Sequence, residues 1–162
     1  MAKLINALEV IENALLHDNI DPSLIKDTFI EVSQEEHIRP ILTQDLYDLI
    51  VSEKNSGTFT GLNETLLNDY IKPALAFFVI LDILPTLTLR ITNKGLMINN
   101  SETSQAATRE ERLDIMTRYR ELGKTMLEKM ERYLDDNSSS FITYQNGSSA
   151  IITTKLKGGI IL

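Results

Sequence analysis

The chain has 162 residues and a net charge of −7, with five Phe, five Tyr and neither Trp nor Cys. This length predicts one domain with a core built mainly from aliphatic side chains. The lack of Cys excludes disulfides and thiolate metal sites, and the scattered Lys and Arg argue against a general electrostatic footprint for nucleic acid.

The N-terminal residues predict two helices. Asn6 followed by Glu9 forms a capping box that should start a helix over about residues 7–16. Asp21-Pro22 is a second start signal, a capping carboxylate followed by proline at the first helical position. That second helix should run to Arg39, because Pro40 disfavours helical geometry in the residue before it.

A third helix should follow Thr43-Gln44-Asp45 and end at Asn55-Ser56-Gly57. Hydrophobic spacing predicts which side chains of the three helices point into the core. The predicted inward set is Leu4, Leu8, Ile11, Leu15, Leu24, Ile25, Phe29, Val32, Ile38, Leu46, Leu49 and Ile50.

Residues 71–84, IKPALAFFVILDIL, are the most apolar stretch and carry only two charges, Lys72 and Asp82. A helix that is apolar all round must be buried all round. The run is shorter than the roughly 20 residues of a membrane span, so we predict the central helix of a soluble domain with no membrane contact. Asn63 should cap this helix, and Pro73 should kink it near residues 69–72.

Two six-residue segments, 37–42 and 70–75, share the order ring, Ile, base, Pro, apolar residue, Leu. Coincidence accounts for so short a match better than duplication does. In either case we expect both prolines, Pro40 and Pro73, to shape helix packing.

After Pro85 the hydrophobic period changes to two. Leu87, Leu89 and Ile91 alternate with polar residues, and the alternation resumes after Asn93-Lys94-Gly95. This pattern predicts a small β-hairpin. The alternative extends the central helix by one turn and leaves the rest as a loop.

A long helix should run from about Gln105 to Asp135. About 30 residues at 1.5 Å each give roughly 45 Å, long enough either to span the domain or to protrude towards a partner. Its predicted inward stripe is Leu113, Met116, Met126, Met130, Tyr133 and Leu134.

We therefore predict a helical domain over residues 1–137 and an extended C-terminal arm over residues 138–162. The arm has several β-branched residues and no acidic residue after Ser138. Exposed apolar segments of this kind are aggregation hazards unless they are paired, so we expect the arm to dock on another chain. Its predicted partner contacts are Phe141, Tyr144, Ile151, Ile152, Ile160, Ile161 and Leu162.

The sequence predicts no catalytic, cofactor-binding or metal-binding residue. The two His, His17 and His37, belong to no Glu-x-x-His pair, and the chain has no phosphate-binding Gly loop and no nucleophile elbow. We therefore do not expect an enzyme.

Several segments resemble tailed-phage head–tail connector (adaptor) proteins. They are Asp21-x-x-Leu24-Ile25-Lys26, Glu36-His37-Ile38-Arg39-Pro40-Ile41-Leu42, Asp45-Leu46-Tyr47-Asp48-Leu49-Ile50, Tyr70-Ile71-Lys72-Pro73-Ala74-Leu75-Ala76 and Thr92-Asn93-Lys94-Gly95. The resemblance covers about residues 4–135 and is greatest to connector ring proteins of Bacteroides-infecting phages, including crAss-like phages. Thr43 stands where that family typically has Gly.

The resemblance implies a structural virion protein at the head–tail junction, made in the host cytoplasm. It implies a ring of about twelve copies that joins the portal to other connector or tail proteins, with DNA passing through the lumen without specific binding. Asn93, Lys94 and Gly95 would then be a tip that touches a neighbour, although a plain hairpin turn accounts for them equally well. A second hypothesis is a small acidic helical phage protein that binds a host factor.

Overall fold

A computed structural model describes residues 3–14, 20–92, 95–98 and 108–141, and the fold is mainly α-helical. A 3₁₀ turn lies at Pro22–Leu24. The α-helices are α1 (Ala7–Asn13), α2 (Asp27–Ser33), α3 (Gln44–Ser56), α4 (Gly61–Thr65), α5 (Lys72–Thr88) and α6 (Arg109–Asp136).

Helix α5 is the centre of the core, as its sequence predicted. Every residue from Ala74 to Leu81 is buried, and α1, α2 and α6 pack around the helix. Its two charges both have partners, because the Lys72 ammonium lies 2.7 Å from Glu9 and Asp82 accepts a hydrogen bond from the Ser33 hydroxyl.

Two π turns precede Pro40 and Pro73 and explain how the helices accommodate them. The turns cover Gln34–Ile38 and Leu66–Ile71, so that α2 and α4 continue through them. The residue before each proline donates its N–H to the carbonyl five residues back, which widens the helix where proline would clash with it. The predicted disturbance at Pro73 therefore takes the form of a π turn.

Each π turn also places an aromatic ring against another helix. The His37 ring stacks on Phe78 with centroids 3.8 Å apart, and the Tyr70 ring stacks on Tyr133 at 4.6 Å. The two similar segments of the sequence thus share a local conformation and a way of packing.

The predicted capping residues act at three helix ends. Asn6 and Glu9 form the reciprocal capping box of α1, the Thr43 hydroxyl accepts from the N–H of Leu46, and Gly57 ends α3 at φ 69°. Thr43 is thus the N-cap of α3. Asn63 was wrongly predicted as a cap, because it lies buried inside α4 and donates to the Glu53 carboxylate at 2.9 Å.

The predicted second helix is interrupted. Ile25 and Lys26 are extended, so Pro22–Leu24 forms a separate turn and α2 begins at Asp27. The prediction assumed one continuous helical periodicity from Pro22 to Arg39, and this assumption is wrong. Leu24 and Val32, which it placed in the core, are exposed. Leu8, Leu49 and Leu113 are also exposed rather than inward.

The region after Pro85 begins with helix rather than with alternating strand. Helix α5 continues through Pro85 to Thr88. Two short strands follow, β1 (Leu89–Thr92) and β2 (Gly95–Ile98), which pair antiparallel with Leu89 opposite Ile98. The turn residues Asn93 and Lys94 lie outside the described residues.

Candidate functional site

The two halves of α6 differ in how they contact the rest of the chain. Its second half is anchored on α5, with Gly123 against the Phe78 ring and with Met130 and Leu134 fully buried. In its first half, over residues 109–120, no side chain is buried, and only Arg112, Met116 and Tyr119 are half-buried. The helix of 28 residues is about 42 Å long, so about 18 Å of it carries no buried side chain.

The first half of α6 also exposes two large aliphatic side chains. Leu113 is 50% exposed and Ile115 is 44% exposed. Thr108 and Glu111 form a reciprocal capping box, which fixes the start of this half by side-chain hydrogen bonds. We call residues 109–120 the exposed half of α6.

A second surface is a pair of adjoining shallow grooves, open to solvent, that share Glu36. The first is lined by Thr28, Glu31, Val32, Glu35 and Glu36. The second lies between the first π turn and α6 and is lined by Glu36, His37, Ile41, Lys124, Leu127, Glu128 and Glu131. Together we call them the acidic groove.

The acidic groove combines negative charge with apolar side chains. Its lining has five carboxylates and one ammonium, which gives a formal charge of −4, while Val32, Ile41 and Leu127 supply apolar surface. Arg39 lies beside the groove and pairs with Glu35. Burial lowers the pKa of His37, and the charges of Glu36 and Asp82 only partly oppose this effect, so His37 is mainly neutral at pH 7.

Sequence reasoning missed this groove because its parts are far apart in the chain. Glu36 and Glu128 are 92 residues apart, and Val32 was predicted to lie in the core. The only signal in the sequence was a local excess of Glu on each of the two helices.

The predicted partner contacts are only partly within the described residues. Phe141 was wrongly placed in the arm: it is 4% exposed, packs edge-to-face on Tyr133 at 6.0 Å and belongs to the chain's own core. Its N–H donates to the carbonyl of Asn137, so the folded part continues to Phe141 and the 137/138 boundary lies inside it. Gly95 begins β2. The other predicted contacts lie outside the described residues: Asn93, Lys94, Tyr144, Ile151, Ile152, Ile160, Ile161 and Leu162.

The described residues include no group of three or more His, Asp or Glu placed to hold a metal ion. Among those residues, no helix has the length and apolar character needed to cross a membrane.

Comparison with known proteins gives a family and no function. A family model described as "Family of unknown function (DUF6712)" matches residues 38–154, which is more than half of the chain. None of the curated proteins and none of the solved structures matches the chain.

Proposed function

We propose that this chain, which belongs to the DUF6712 family of unknown function, is a structural virion protein that forms a ring joining the portal of a phage to its tail. The observation that carries the proposal is the exposed half of α6. A helix that is fixed at one end and has no fully buried side chain over about 18 Å is suited to contacting the next subunit of a ring.

Side-chain chemistry supports the same role. Leu113 and Ile115 are exposed, and burying them against an adjacent copy stabilises the assembly. The stabilisation is about 25 cal/mol for each Å² of apolar surface removed from water. Closed rings arise when one surface of a subunit contacts a different surface of the next. In this proposal the exposed half of α6 is one of those two surfaces, and the tip at Asn93-Lys94-Gly95 contacts a neighbouring subunit or ring.

The charge of the chain fits a DNA channel. A net charge of −7 repels phosphate over a Debye length of about 8–10 Å. We expect the carboxylates near the end of α6 to border the channel. Asp135 and Asp136 are exposed there, and Arg132 is exposed before them.

Substitution on α6 tests the proposal. We expect the double variant Leu113→Ser/Ile115→Ser to lose ring assembly in mass photometry, while its circular dichroism and melting temperature stay close to those of wild type. The matched control is Leu8→Ser/Leu24→Ser, which removes two aliphatic side chains of 61% and 47% exposure from a different face.

The control variant should still form rings. Equal ring formation by both double variants would show that α6 is not the contact. A monomer that binds a host factor would instead support the second hypothesis.

A further inference from the structure

We propose that the acidic groove binds the C-terminal segment, residues 142–162, of the neighbouring copy. This inference rests on the proposed ring, because it adds a second contact between adjacent subunits to the one that the exposed half of α6 makes. The occupant is one named segment of this chain, and it is identified by charge and by hydrophobic character.

Charge complementarity is the first argument. The groove lining has a formal charge of −4, or −3 when Arg39, which pairs with Glu35, is counted. Residues 142–162 contain Lys155 and Lys157 and no Asp or Glu, in a chain whose net charge is −7. This segment is therefore an exception to the acidic character of the protein, and its charge is opposite to that of the groove.

The apolar surfaces also match. Leu156 stands between the two lysines, and Ile151, Ile152, Ile160 and Ile161 lie within five residues of one of them. The groove offers Val32, which is 51% exposed, with Ile41 and Leu127. Leu156 and the neighbouring isoleucine pairs can cover these groove side chains while each ammonium reaches a carboxylate at the rim.

The position of Phe141 defines where the segment starts. Phe141 is held in the core of its own subunit, so exchange between copies involves only the residues after it. Twenty-one residues come after Phe141, and an extended chain of that length spans up to about 70 Å. The segment is therefore long enough to reach an adjacent subunit.

Cross-linking between two tagged populations tests this contact. The chain has no Cys, so single cysteines can be placed without removing native ones. One full-length population carries Val32→Cys and the other Leu156→Cys, and a short bismaleimide joins those that meet. We expect a cross-linked heterodimer, whereas Leu8→Cys in place of Val32→Cys should give none, although Leu8 is 61% exposed.

A charge swap tests the recognition itself. Glu36→Lys/Glu128→Lys changes two exposed residues and should lower the cross-link yield about tenfold, because like charges then face each other. Adding Lys155→Glu/Lys157→Glu to the other population should restore the yield. Loss with rescue supports the inference.

The outcomes separate the two proposals. Rings that form normally while the Val32–Leu156 cross-link is absent and the charge reversal has no effect would overturn this inference and leave the ring intact. A chain that stays monomeric at all concentrations, with a portal protein present, would overturn the ring. A cross-link that forms only within one chain carrying both cysteines would show the segment on its own groove, which also contradicts exchange between copies.

Discussion

The contact between Gly123 and Phe78 gives the most quantitative test of how α6 is seated. A Cβ atom added at Gly123 would lie 2.7 Å from Cζ and 2.8 Å from Cε2 of the Phe78 ring. Ordinary van der Waals contact requires about 3.5–4.0 Å, so the ring or the helix would have to move by about 1 Å. We therefore examine Gly123→Ala.

The Phe78 ring has little room to retreat. It is 3% exposed, and it is stacked on the His37 ring at 3.8 Å. Overpacking of this kind costs about 1–3 kcal/mol. Replacing a mid-helix Gly by Ala contributes about 1 kcal/mol of stability through helix propensity, so the net loss in the free energy of unfolding should be about 0–2 kcal/mol.

Urea unfolding followed by circular dichroism measures this loss in the free energy of unfolding. In a separate thermal melt, each kcal/mol lost should lower the melting temperature by about 2–4 °C. The matched control is Gly61→Ala at the first position of α4, where an added Cβ meets nothing within 4 Å. The control should be neutral or slightly stabilising.

A second variant separates steric from helical effects. In a Phe78→Leu background the smaller side chain frees space, so Gly123→Ala should become neutral or stabilising there. If Gly123→Ala instead stabilises the native background by the full gain of about 1 kcal/mol in helix propensity, α6 does not pack on α5 through this contact and the reasoning fails.

Three further predictions concern the packing of the N-terminal helices. Gln34→Leu should lower the free energy of unfolding, measured with urea, by about 1–3 kcal/mol, because buried Gln34 accepts from the Leu4 N–H at 2.8 Å and donates to the Tyr47 hydroxyl. Tyr47→Phe should lower it by less, and equal losses in the two variants would contradict this role of Gln34. Asn6→Ala should cost about 1 kcal/mol by the same assay through loss of the α1 capping box, and an unchanged midpoint would refute the role of that cap. Burial lowers the pKa of His37 below its ordinary value of 6.5. The contribution of His37 to the free energy of unfolding is therefore fully present above pH 6.5, and it is lost as the pH falls from there through the pKa of the folded state. Between pH 7 and pH 5, wild type should therefore lose more stability than His37→Gln, and equal losses would show that His37 does not contribute.

Local signals in the sequence predicted much of the fold. The structure confirms three predictions that depend only on neighbouring residues. They are the burial of α5 on all sides, the capping box at Asn6 and the end of α3 at Gly57. Periodicity failed where the helix was not regular. The extended residues Ile25 and Lys26 interrupt the second helix, and each π turn adds a residue that shifts the helical phase of the next turn.

The candidate surfaces could be predicted only in part. The length of α6 was visible in its sequence, but the difference between its two halves depends on where α5 packs, and Leu113 was accordingly predicted to be buried. Phe141 resembled the arm in composition, yet its N–H bond to Asn137 and its contact with Tyr133 attach it to the core. The acidic groove requires tertiary packing of the first π turn against α6, which no local pattern encodes.

The oligomeric state of the 162-residue wild-type chain decides whether it builds a ring. Mass photometry combined with negative-stain microscopy, across a concentration series and with a phage portal protein added as the proposed partner, measures it. Our account predicts closed rings with a central channel, formed by the chain alone or on the portal. A chain that remains a single 18.3 kDa molecule in the presence of the portal would contradict it.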